Sequence, residues 1–348
     1  MKVLVTGSAG FIGYHLVERL LSRGHEVIGI DNLNAYYDPG LKLGRLQAAG
    51  VSASSTGHGR FQAVGRPYTF LTGDITNPDD LRSVFEFTPF DCVCHLAAQA
   101  GVRFSLEQPL AYIQANVAGT AQLLEFLRHA GTRHFLFASS SSVYGLNEKM
   151  PFSVHDHTDH PVSIYAASKK ASELVVHSYS HLFGIPSTGL RFFTAYGPWG
   201  RPDMALFLFT RAILGDQPIE VFNNGKMRRD FTFVDDIVTS VVGLIDRPPQ
   251  PNPNWDARNP DPASSSAPYR IHNIGNSKPT DLLDYIRAIE NSIGKRAVLK
   301  MRPAQPGDVT ATWADTSELE KEIGFRPSTS IDIGVAKFVQ WFREYYSV

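Results

Sequence analysis

Short apolar runs alternate with longer amphipathic stretches along the first 140 residues, which predicts alternating β-strands and α-helices. Residues 3–6 predict a buried strand, and the stretch that follows, with Leu16, Leu20 and Leu21 on one face, predicts a helix that Gly24 ends. A second strand is predicted over 26–30, with Asp31 at its end. The other elements predicted here are strands over 68–71, 91–96 and 134–138 and a helix over 112–129. Such steady alternation is typical of an α/β protein with a doubly wound parallel sheet of the Rossmann type.

The pattern becomes less regular in the second half of the chain. Ser163 predicts the N-cap of a helix that Gly184 closes. The predicted elements after it are strands over 187–193, 219–223 and 269–274, a strand turning into a helix over 231–244, and helices over 206–214, 282–293 and 333–346. Residues 34–65 lack periodicity and are small and polar over 52–59, which predicts a flexible surface loop. Residues 247–267 contain six prolines, which predicts an extended surface loop.

The composition is that of an ordinary globular protein, and it argues against several classes of function. The 348 residues, 43% of them hydrophobic, suffice for two domains or for one large domain with an appended lobe. A formal net charge of -1 gives no basic surface for nucleic acid and no polybasic run for a membrane. The first apolar run is too short for a signal peptide or a membrane span, so we expect a cytoplasmic protein.

The cysteines and histidines give no indication of a metal site. Cys92 and Cys94 alternate along an apolar run, so they share one face of a predicted strand and are expected to be buried small hydrophobes. The 12 histidines show no ligand spacing next to a carboxylate. We therefore expect chemistry that uses no metal.

The first predicted strand is followed by a glycine pattern that indicates a dinucleotide site. Gly7, Gly10 and Gly13 have the spacing GxxGxxG and open a helix, and Asp31 comes 18 residues later. The glycines allow the backbone to approach a pyrophosphate at a helix N-terminus, and the acid suits a ribose 2′-hydroxyl. Asp31 would repel a 2′-phosphate and is followed by Asn32 with no nearby arginine, so we predict NAD rather than NADP.

Two further dipeptides are expected at the same edge of the sheet. Asp74-Ile75 and Ala97-Ala98 each follow a predicted strand. The carboxyl ends of parallel strands form the ligand-binding edge of a doubly wound sheet. Both dipeptides are thus candidates to contact the dinucleotide.

A second pattern indicates proton transfer. In a helix capped by Ser163, Tyr165 and Lys169 stand four residues apart on one face, so the ammonium can lie close to the phenol. A nearby positive charge favours phenolate. A phenol of lowered pKa that hydrogen-bonds a serine of the run 139–142 can take a proton from a sugar hydroxyl while hydride leaves the same carbon. The spacing alone is weak evidence, because an exposed helix with an ordinary tyrosine has it too.

Together these residues resemble the extended short-chain dehydrogenase/reductase family of nucleotide-sugar enzymes, over essentially the whole chain. Residues 6–13, Asp31, Asn116, Ser140, Tyr165 and Lys169 fall where that family places its cofactor and catalytic groups. Within the family the chain is most similar to UDP-glucuronate 4-epimerases. The segments that carry this likeness are HLAAQAGVRFS (95–105), LRFFTAYGPWGRPDMA (190–205), RDFTFVDDI (229–237), APYRIHNIGN (267–276), QPGDV (305–309) and the proline-rich insertion before residue 267.

The resemblance implies a role for each candidate residue. Tyr165 is the base, Lys169 holds it and the nicotinamide ribose, and Ser140 hydrogen-bonds the sugar C4 oxygen. The implied NAD contacts are Gly7, Gly10, Phe11, Ile12, Gly13, Asp31, Asn32, Asp74, Ile75, Leu96, Ala97, Ala98, Asn116, Tyr165 and Lys169. The implied UDP-sugar contacts are Arg103, Ser140, Ser141, Ser142, Thr194, Arg201, Arg229 and Asp308, with Arg229 at the UDP pyrophosphate and Asp308 at the ribose.

The resemblance also implies a uronic acid as substrate. Arg201, Thr194, Ser141 and Ser142 would face its carboxylate, and Thr194 stands where many relatives carry asparagine. Sugar dehydratases of the family carry Asp-Glu just after the residue that matches Ser140, and decarboxylases carry glutamate at position 142. The expected reaction is reversible C4 epimerisation of UDP-glucuronate to UDP-galacturonate through a 4-keto intermediate, with tightly bound NAD and without decarboxylation.

Several alternatives stay open on the sequence. The chain could be a UDP-glucose 4-epimerase, a UDP-glucuronate decarboxylase, or a dinucleotide-sensing binding protein that has lost catalysis. Arg201 could simply pair with Asp203, and Ser142 and Thr194 could be satisfied loop hydroxyls.

The resemblance also implies an oligomeric state and a domain organisation. It implies a homodimer packed through the Tyr165 helix and the helix before it. We expect an NAD-binding domain over 1–193 with returning segments at about 231–280, and a UDP-sugar-binding lobe over 194–230 and 281–348.

Overall fold

The computed structural model describes residues 1–52, 59–304 and 310–348. Within them the strands are β1 Lys2–Thr6, β2 Glu26–Asp31, β3 Gly59–Gln62, β4 Tyr68–Thr72, β5 Cys92–His95, β6 His134–Ser140, β7 Ser187–Phe192, β8 Thr194–Tyr196, β9 Ile219–Val221, β10 Arg228–Phe233, β11 Tyr269–Ile274, β12 Pro279–Asp281, β13 Leu299–Met301 and β14 Ala311–Thr312. The helices are α1 Phe11–Ser22, α2 Pro39–Ala48, α3 Pro78–Phe85, α4 Phe104–Glu107, α5 Pro109–Tyr112, α6 Gly119–Leu127, α7 Ile164–Phe183, α8 Ala205–Leu214, α9 Val234–Ile245, α10 Leu282–Ile293, α11 Ser317–Ile323 and α12 Ile331–Tyr346.

The predicted doubly wound sheet is confirmed. In the described part of the chain it has eight strands in the order β11-β7-β6-β5-β1-β2-β4-β3, and every neighbouring pair is parallel except β3 with β4. β1 lies between β2 and β5. Strands β2 to β4 extend the sheet on one side of β1, and β5, β6, β7 and β11 extend it on the other, so the direction of strand order changes at β1. The carboxyl ends of β1 and β5 therefore border the crevice in which such sheets bind ligands.

The predicted surface loop over 34–65 is wrong for two segments. Residues 39–48 form α2, because the Asp38 side chain accepts a hydrogen bond from the Gly40 amide at 2.8 Å and Pro39 occupies the first helical turn. Residues 59–62 form β3, which pairs antiparallel with β4. The rest of that small polar stretch, residues 53–58, lies outside the described residues.

The predicted helix over 112–129 is interrupted rather than continuous. It begins in α5, passes through a π-helical segment at Ile113–Ala118 and continues as α6. The described residues 247–267 contain no helix or named strand, as the prolines predict, but Ala263, Ser264 and Ala267 near their end are buried. Cys92 and Cys94 are buried on β5, as predicted, and neither forms a disulfide in the described structure.

Smaller sheets lie beside the main one. β12, β10 and β14 form a sheet in which β10 also pairs with β8, and β9 pairs with β13. One cluster of buried apolar side chains runs from Val3 and Leu16 under the large sheet to Tyr285 and Phe338 on α10 and α12. A second cluster, which includes Leu4 and Leu123, contains other buried side chains of the sheet and of α6. The division of the chain by residue number into two domains stays a prediction.

None of the described helices is both long and apolar enough to cross a membrane.

Candidate active site

A cavity of about 470 Å³ lies along the carboxyl ends of the sheet strands. Its wall begins at the turn between β1 and α1, passes the ends of β2, β4, β5 and β6, and reaches the start of α7. It is closed from the other side by residues of β8, β10 and β14, including Thr194, Arg229 and Thr312. The volume suits an extended ligand of the size of a dinucleotide or nucleotide sugar.

The glycine turn at one end of this cavity has no room for side chains. Gly7 has φ +71°, and a Cβ at Gly13 would lie 2.0 Å from the Gly7 carbonyl oxygen. α1 begins at Phe11 after Gly10 and has no acidic residue in its first turn. Its unpaired amide groups and the positive end of its dipole therefore offer a place for a phosphate.

The end of β2 carries a buried ion pair that the sequence analysis missed. The Lys42 ammonium on α2 lies 3.4 Å from Asp31 Oδ1, and each side chain is 7% exposed. Lys42 also donates to the Asn34 side-chain oxygen at 3.1 Å. Asp31 Oδ1 accepts from the Leu33 amide at 2.9 Å. Asp31, Lys42 and Asn34 all line the cavity.

Asp74 forms the next polar contact along the edge. Its Oδ2 accepts from the Asn32 side-chain Nδ2 at 2.9 Å, and its Oδ1 accepts from the backbone amide and the hydroxyl of Thr76. Burial acts to raise the pKa of Asp74, but these hydrogen bonds lower it below the ordinary value. Asp74 is thus a fixed carboxylate beside the cavity.

Ser163 caps α7 as predicted, and the helix carries the two catalytic candidates Tyr165 and Lys169. Ser163 accepts from the Ala166 amide at 3.1 Å, and the helix places Tyr165 and Lys169 at the cavity wall. The Lys169 ammonium donates to the Ala138 carbonyl of β6 at 3.0 Å, and burial lowers its pKa to about 8. The expected lowering of the Tyr165 pKa is wrong for this structure. Burial raises that pKa and outweighs both the hydrogen bond with Ser140 and the charge of Arg201.

The four serines after Ala138 do not share one environment. All four line the cavity, but Ser139 donates to Glu173 on α7 at 2.6 Å. Ser140 acts to lower the pKa of Tyr165, so it lies beside the phenol, and its hydroxyl accepts from the Ser142 amide at 3.2 Å. Ser140 is therefore the serine placed to share a substrate oxygen with the phenol.

Arg201 lies at the cavity wall in a bidentate pair with Asp203. The Nε–Oδ1 distance is 2.9 Å, and the Tyr36 hydroxyl donates to Asp203 Oδ2 at 2.9 Å. Burial acts to lower the pKa of Arg201, but the hydrogen bond with Asp203 raises it above the usual arginine value. Arg201 is thus a permanent cation whose field reaches Tyr165.

Most predicted site residues come together around this one cavity, and a few do not. Those that line it are Gly7, Gly10, Phe11, Ile12, Gly13, Asp31, Asn32, Asp74, Ile75, Leu96, Ala97, Ala98, Ser140, Ser141, Ser142, Tyr165, Lys169, Thr194, Arg201 and Arg229. Asn116 lies behind the wall, where it accepts from the Gln99 amide and donates to Ser168 on α7. Arg103 lies over the Phe222 ring, 4.9 Å from its centroid, and does not line the cavity. Asp308 lies outside the described residues.

The lining also includes residues that sequence reasoning missed. Lys42 and Tyr36 come from the segment that was predicted to be a loop, Gln99 comes from the connection after β5, and Thr312 comes from the short strand β14. The Asp38-Pro39 dipeptide was a usable signal for α2, because an acidic N-cap followed by proline typically starts a helix.

A Rossmann-type sheet, a glycine turn at a helix N-terminus and a Ser-Tyr-Lys set on one cavity define a dinucleotide-dependent enzyme of the dehydrogenase type. More specifically, the chain belongs to the NAD dependent epimerase/dehydratase family, whose model matches residues 3–255.

Individual proteins are similar over the whole chain. Protein CapI of Staphylococcus aureus is 50% identical over 346 residues, covering 99% of both chains. A probable UDP-glucuronate 4-epimerase of Rhizobium meliloti is 43% identical over 347 residues, covering 99% of this chain and 98% of the relative. The crystal structure of UDP-glucuronic acid 4-epimerase from Bacillus cereus, in complex with UDP-glucuronic acid and NAD, matches with a TM-score of 0.82 at 31% identity. That match covers 99% of this chain and 100% of the other.

Proposed function

We propose that the protein interconverts UDP-glucuronate and UDP-galacturonate by epimerisation at C4, with tightly bound NAD and without decarboxylation. The observation that carries this proposal is the meeting of Ser140, Tyr165 and Arg201 on one cavity wall. The relatives named for UDP-glucuronate 4-epimerisation support the choice of substrate.

The residues present fit NAD. The glycine turn leaves space for a pyrophosphate where a Cβ would collide with backbone, and the start of α1 supplies amide donors for it. Asp31 would accept from the adenosine ribose, and Lys169 would hold the nicotinamide ribose. NAD, when bound, supplies reversible hydride acceptance at the sugar C4.

Tyr165 carries the proton in this mechanism. In its phenolate form Tyr165 takes the proton of the C4 hydroxyl as the carbon is oxidised to a ketone, and the phenol so formed returns the proton after the ring has turned over. Ser140, which lines the cavity beside the phenol, would hold the C4 oxygen. The positive charges of Lys169 and Arg201 favour the phenolate form at the moment of transfer.

Arg201 would hold the sugar carboxylate. The 4-keto intermediate is a β-keto acid, which loses carbon dioxide readily when its carboxylate is free to align with the ketone. A charge-assisted hydrogen bond from Arg201, with hydroxyl contacts from Thr194, Ser141 and Ser142, would keep the carboxylate out of that geometry. Arg229 would contact the UDP pyrophosphate, and we keep Asp308 as the proposed ribose contact.

One observation favours a second candidate, UDP-glucose 4-epimerase. Asp203 already neutralises Arg201 through two hydrogen bonds, so a neutral sugar could bind without displacing any ion pair. A carboxylate would have to share Arg201 with Asp203. Both candidates use the same proton transfer at Tyr165.

Product analysis separates the candidates. The purified protein is incubated with NAD and either UDP-glucuronate or UDP-glucose, and the products are resolved by NMR. We expect UDP-galacturonate without carbon dioxide or net NADH. Conversion of UDP-glucose with UDP-glucuronate untouched would establish the second candidate, and a UDP-pentose would show that the carboxylate is not restrained.

We further propose a cytoplasmic homodimer that packs through α7 and the helical stretch before it. Exposed apolar side chains on both elements support this surface, with Leu110 and Ile113 on the earlier stretch and Leu174 on α7. Light scattering of the wild type should give twice the chain mass. The double substitution Leu110→Glu and Leu174→Glu should give a monomer, and an unchanged mass would place the interface elsewhere.

A further inference from the structure

The buried pair of Asp31 and Lys42 has a geometry that bears on the choice of nucleotide. Lys42 Nζ lies 3.4 Å from Asp31 Oδ1, and both side chains line the cavity beside the end of β2. Among the described residues of the cavity wall, the cations are Lys42, Lys169, Arg201 and Arg229. Of these, Lys42 is the one paired with Asp31.

We propose that Lys42 is a second determinant of cofactor choice. It is a potential phosphate-binding group whose positive charge is neutralised by Asp31. Loss of the Asp31 carboxylate would then let the same cavity accept the 2′-phosphate of NADP. This inference rests on the proposed use of NAD by the protein.

The Asp31 carboxylate is placed to accept from a ribose hydroxyl and to repel a phosphate. Both of its hydrogen bonds within the described chain, from the Leu33 amide and from the Lys42 ammonium, fall on Oδ1. Oδ2 therefore stays available to accept from a ribose hydroxyl at the end of the second strand. A phosphate at that place would meet the carboxylate instead, and the like charges would repel each other.

Lys42 is a cation whose charge is offset by Asp31. Its ammonium also donates to Asn34, so the side chain is held at the cavity wall from two directions. While Asp31 is ionised the two charges offset one another, and the cation adds little attraction for an anion. Without the carboxylate, a buried ammonium has lost its partner, which is costly. A phosphate placed within reach would restore a charge-assisted contact.

Arg45 on the same helix does not offer an alternative cation. Its guanidinium is buried and donates to the carbonyl groups of Ala9 and Trp199 and to the Tyr37 hydroxyl. It therefore ties α2 to the neighbouring loops and is not part of the cavity wall.

Titration calorimetry with NAD and NADP on the full-length protein tests the proposal. We expect the wild type to bind NAD more tightly than NADP. D31S should bind NADP at least about tenfold more tightly than the wild type does, because a charge-assisted contact replaces a repulsion. The double variant D31S/K42M should lose that gain, and the gain in D31S should shrink with added salt.

Further variants keep the test decisive. D31N retains an acceptor for the Leu33 amide and replaces D31S if circular dichroism shows that D31S is unfolded. K42M alone leaves the Asp31 carboxylate unpaired, so it should weaken NADP binding more than NAD binding. An equal NADP gain in D31S and D31S/K42M, or an unchanged preference in K42M, would overturn the proposal. A wild type that binds neither nucleotide would instead overturn the proposed function.

Discussion

Tyr165 is the residue on which the proposed chemistry depends most. Tyr165→Phe removes the hydroxyl that exchanges the proton and keeps the ring, so turnover should fall by about a hundredfold or more. NAD binding should persist, because the proposed dinucleotide contacts are spread along the whole sheet edge. Initial rates with UDP-glucuronate and calorimetry with NAD measure the two effects.

A matched control exists on the same helix. Tyr179 also lies on α7, hydrogen-bonded to Glu125 and away from the cavity wall, so Tyr179→Phe should retain wild-type turnover. Near-normal turnover in Tyr165→Phe would end the assignment of the base.

Substitution of Arg201 should affect recognition of the sugar carboxylate but not binding of the nucleotide part of the substrate. Arg201→Ala removes the proposed charge-assisted hydrogen bond to the sugar carboxylate, so kcat/KM for UDP-glucuronate should fall by about 10- to 100-fold. The Kd for UDP, which lacks the carboxylate, should change little. Arg228→Ala is the control, because Arg228 pairs with Asp281 outside the cavity wall. An equal loss for UDP would indicate a nucleotide contact instead.

Lys169 should make stability depend on pH above neutrality. Burial lowers its pKa from 10.5 to about 8, so between these values the unfolded chain binds more protons than the folded protein. The contribution of Lys169 to the free energy of unfolding therefore rises with pH across that interval. This contribution is lowest below about pH 8, where the folded protein must bury the charged ammonium. The free energy of unfolding of the wild type, minus that of Lys169→Met, should rise between about pH 7.5 and 9.5. A flat difference would show that the Lys169 pKa is not lowered.

Motif residues were predictable from the sequence, whereas residues whose role depends on tertiary pairing were not. Asp31 and Tyr165 stand at fixed offsets from a glycine turn and a helix cap, so local rules locate them. Lys42 is paired with Asp31 only through the folding of α2 against β2. The raised pKa of Tyr165 reflects burial, which spacing alone does not reveal.

Helical segments were missed where their hydrophobic pattern or hydrogen bonding depends on the folded structure. α2 buries Leu41, Lys42, Arg45 and Leu46, a helical spacing in which two members are charged, so the apolar pattern is hidden. The π-helical segment at Ile113–Ala118 shifts hydrogen bonds without changing the order of residue types, so no pattern reports it. By contrast, α7 has a serine cap and a left-handed closing glycine, and its bounds were predictable.

α7 is tied to two strands by a buried ion pair that should be essential for stability. Glu173 accepts from Arg191 of β7 through two contacts of 2.9 Å and from Ser139 of β6. The two charged side chains are only 3% and 1% exposed. Glu173→Ala leaves the arginine buried without its partner, which should cost about 3–5 kcal/mol of unfolding free energy. Urea denaturation measures that cost.

The partly exposed pair of Arg66 and Glu18, at 2.7 Å, provides the comparison. Glu18→Ala should cost at most about 1 kcal/mol, because water and salt screen the pair. If Glu173→Ala costs no more than Glu18→Ala, the buried network does not hold α7 in place.

The large sheet was predictable, because the order of strands and helices along the chain determines its architecture. Alternating strands and helices led directly to the doubly wound sheet, since its parallel strands require crossover helices. The small strands β8, β12 and β14 were not predictable, because two or three residues carry no period and their pairing with β10 joins distant segments.

The continuity of the core predicts that the protein unfolds as one unit. Buried side chains from β1 and α1 share a cluster with those of α10 and α12, and Trp199 packs against Trp341 with ring centroids 5.1 Å apart. Separation of the two predicted domains would expose this shared apolar surface, so neither domain should unfold first. Thermal melts followed by far-ultraviolet circular dichroism and by tryptophan fluorescence should therefore have one common midpoint.

NAD should raise that midpoint for both probes together. A ligand at a hundred times its Kd adds about 2.7 kcal/mol to the stability of whatever unit must unfold to release it. If that unit is the entire chain, the signal from the sheet and the signal from the tryptophans shift equally. Two transitions, or a shift confined to one probe, would mean that the two predicted domains unfold separately despite the shared core, and that NAD can be released without loss of the sheet.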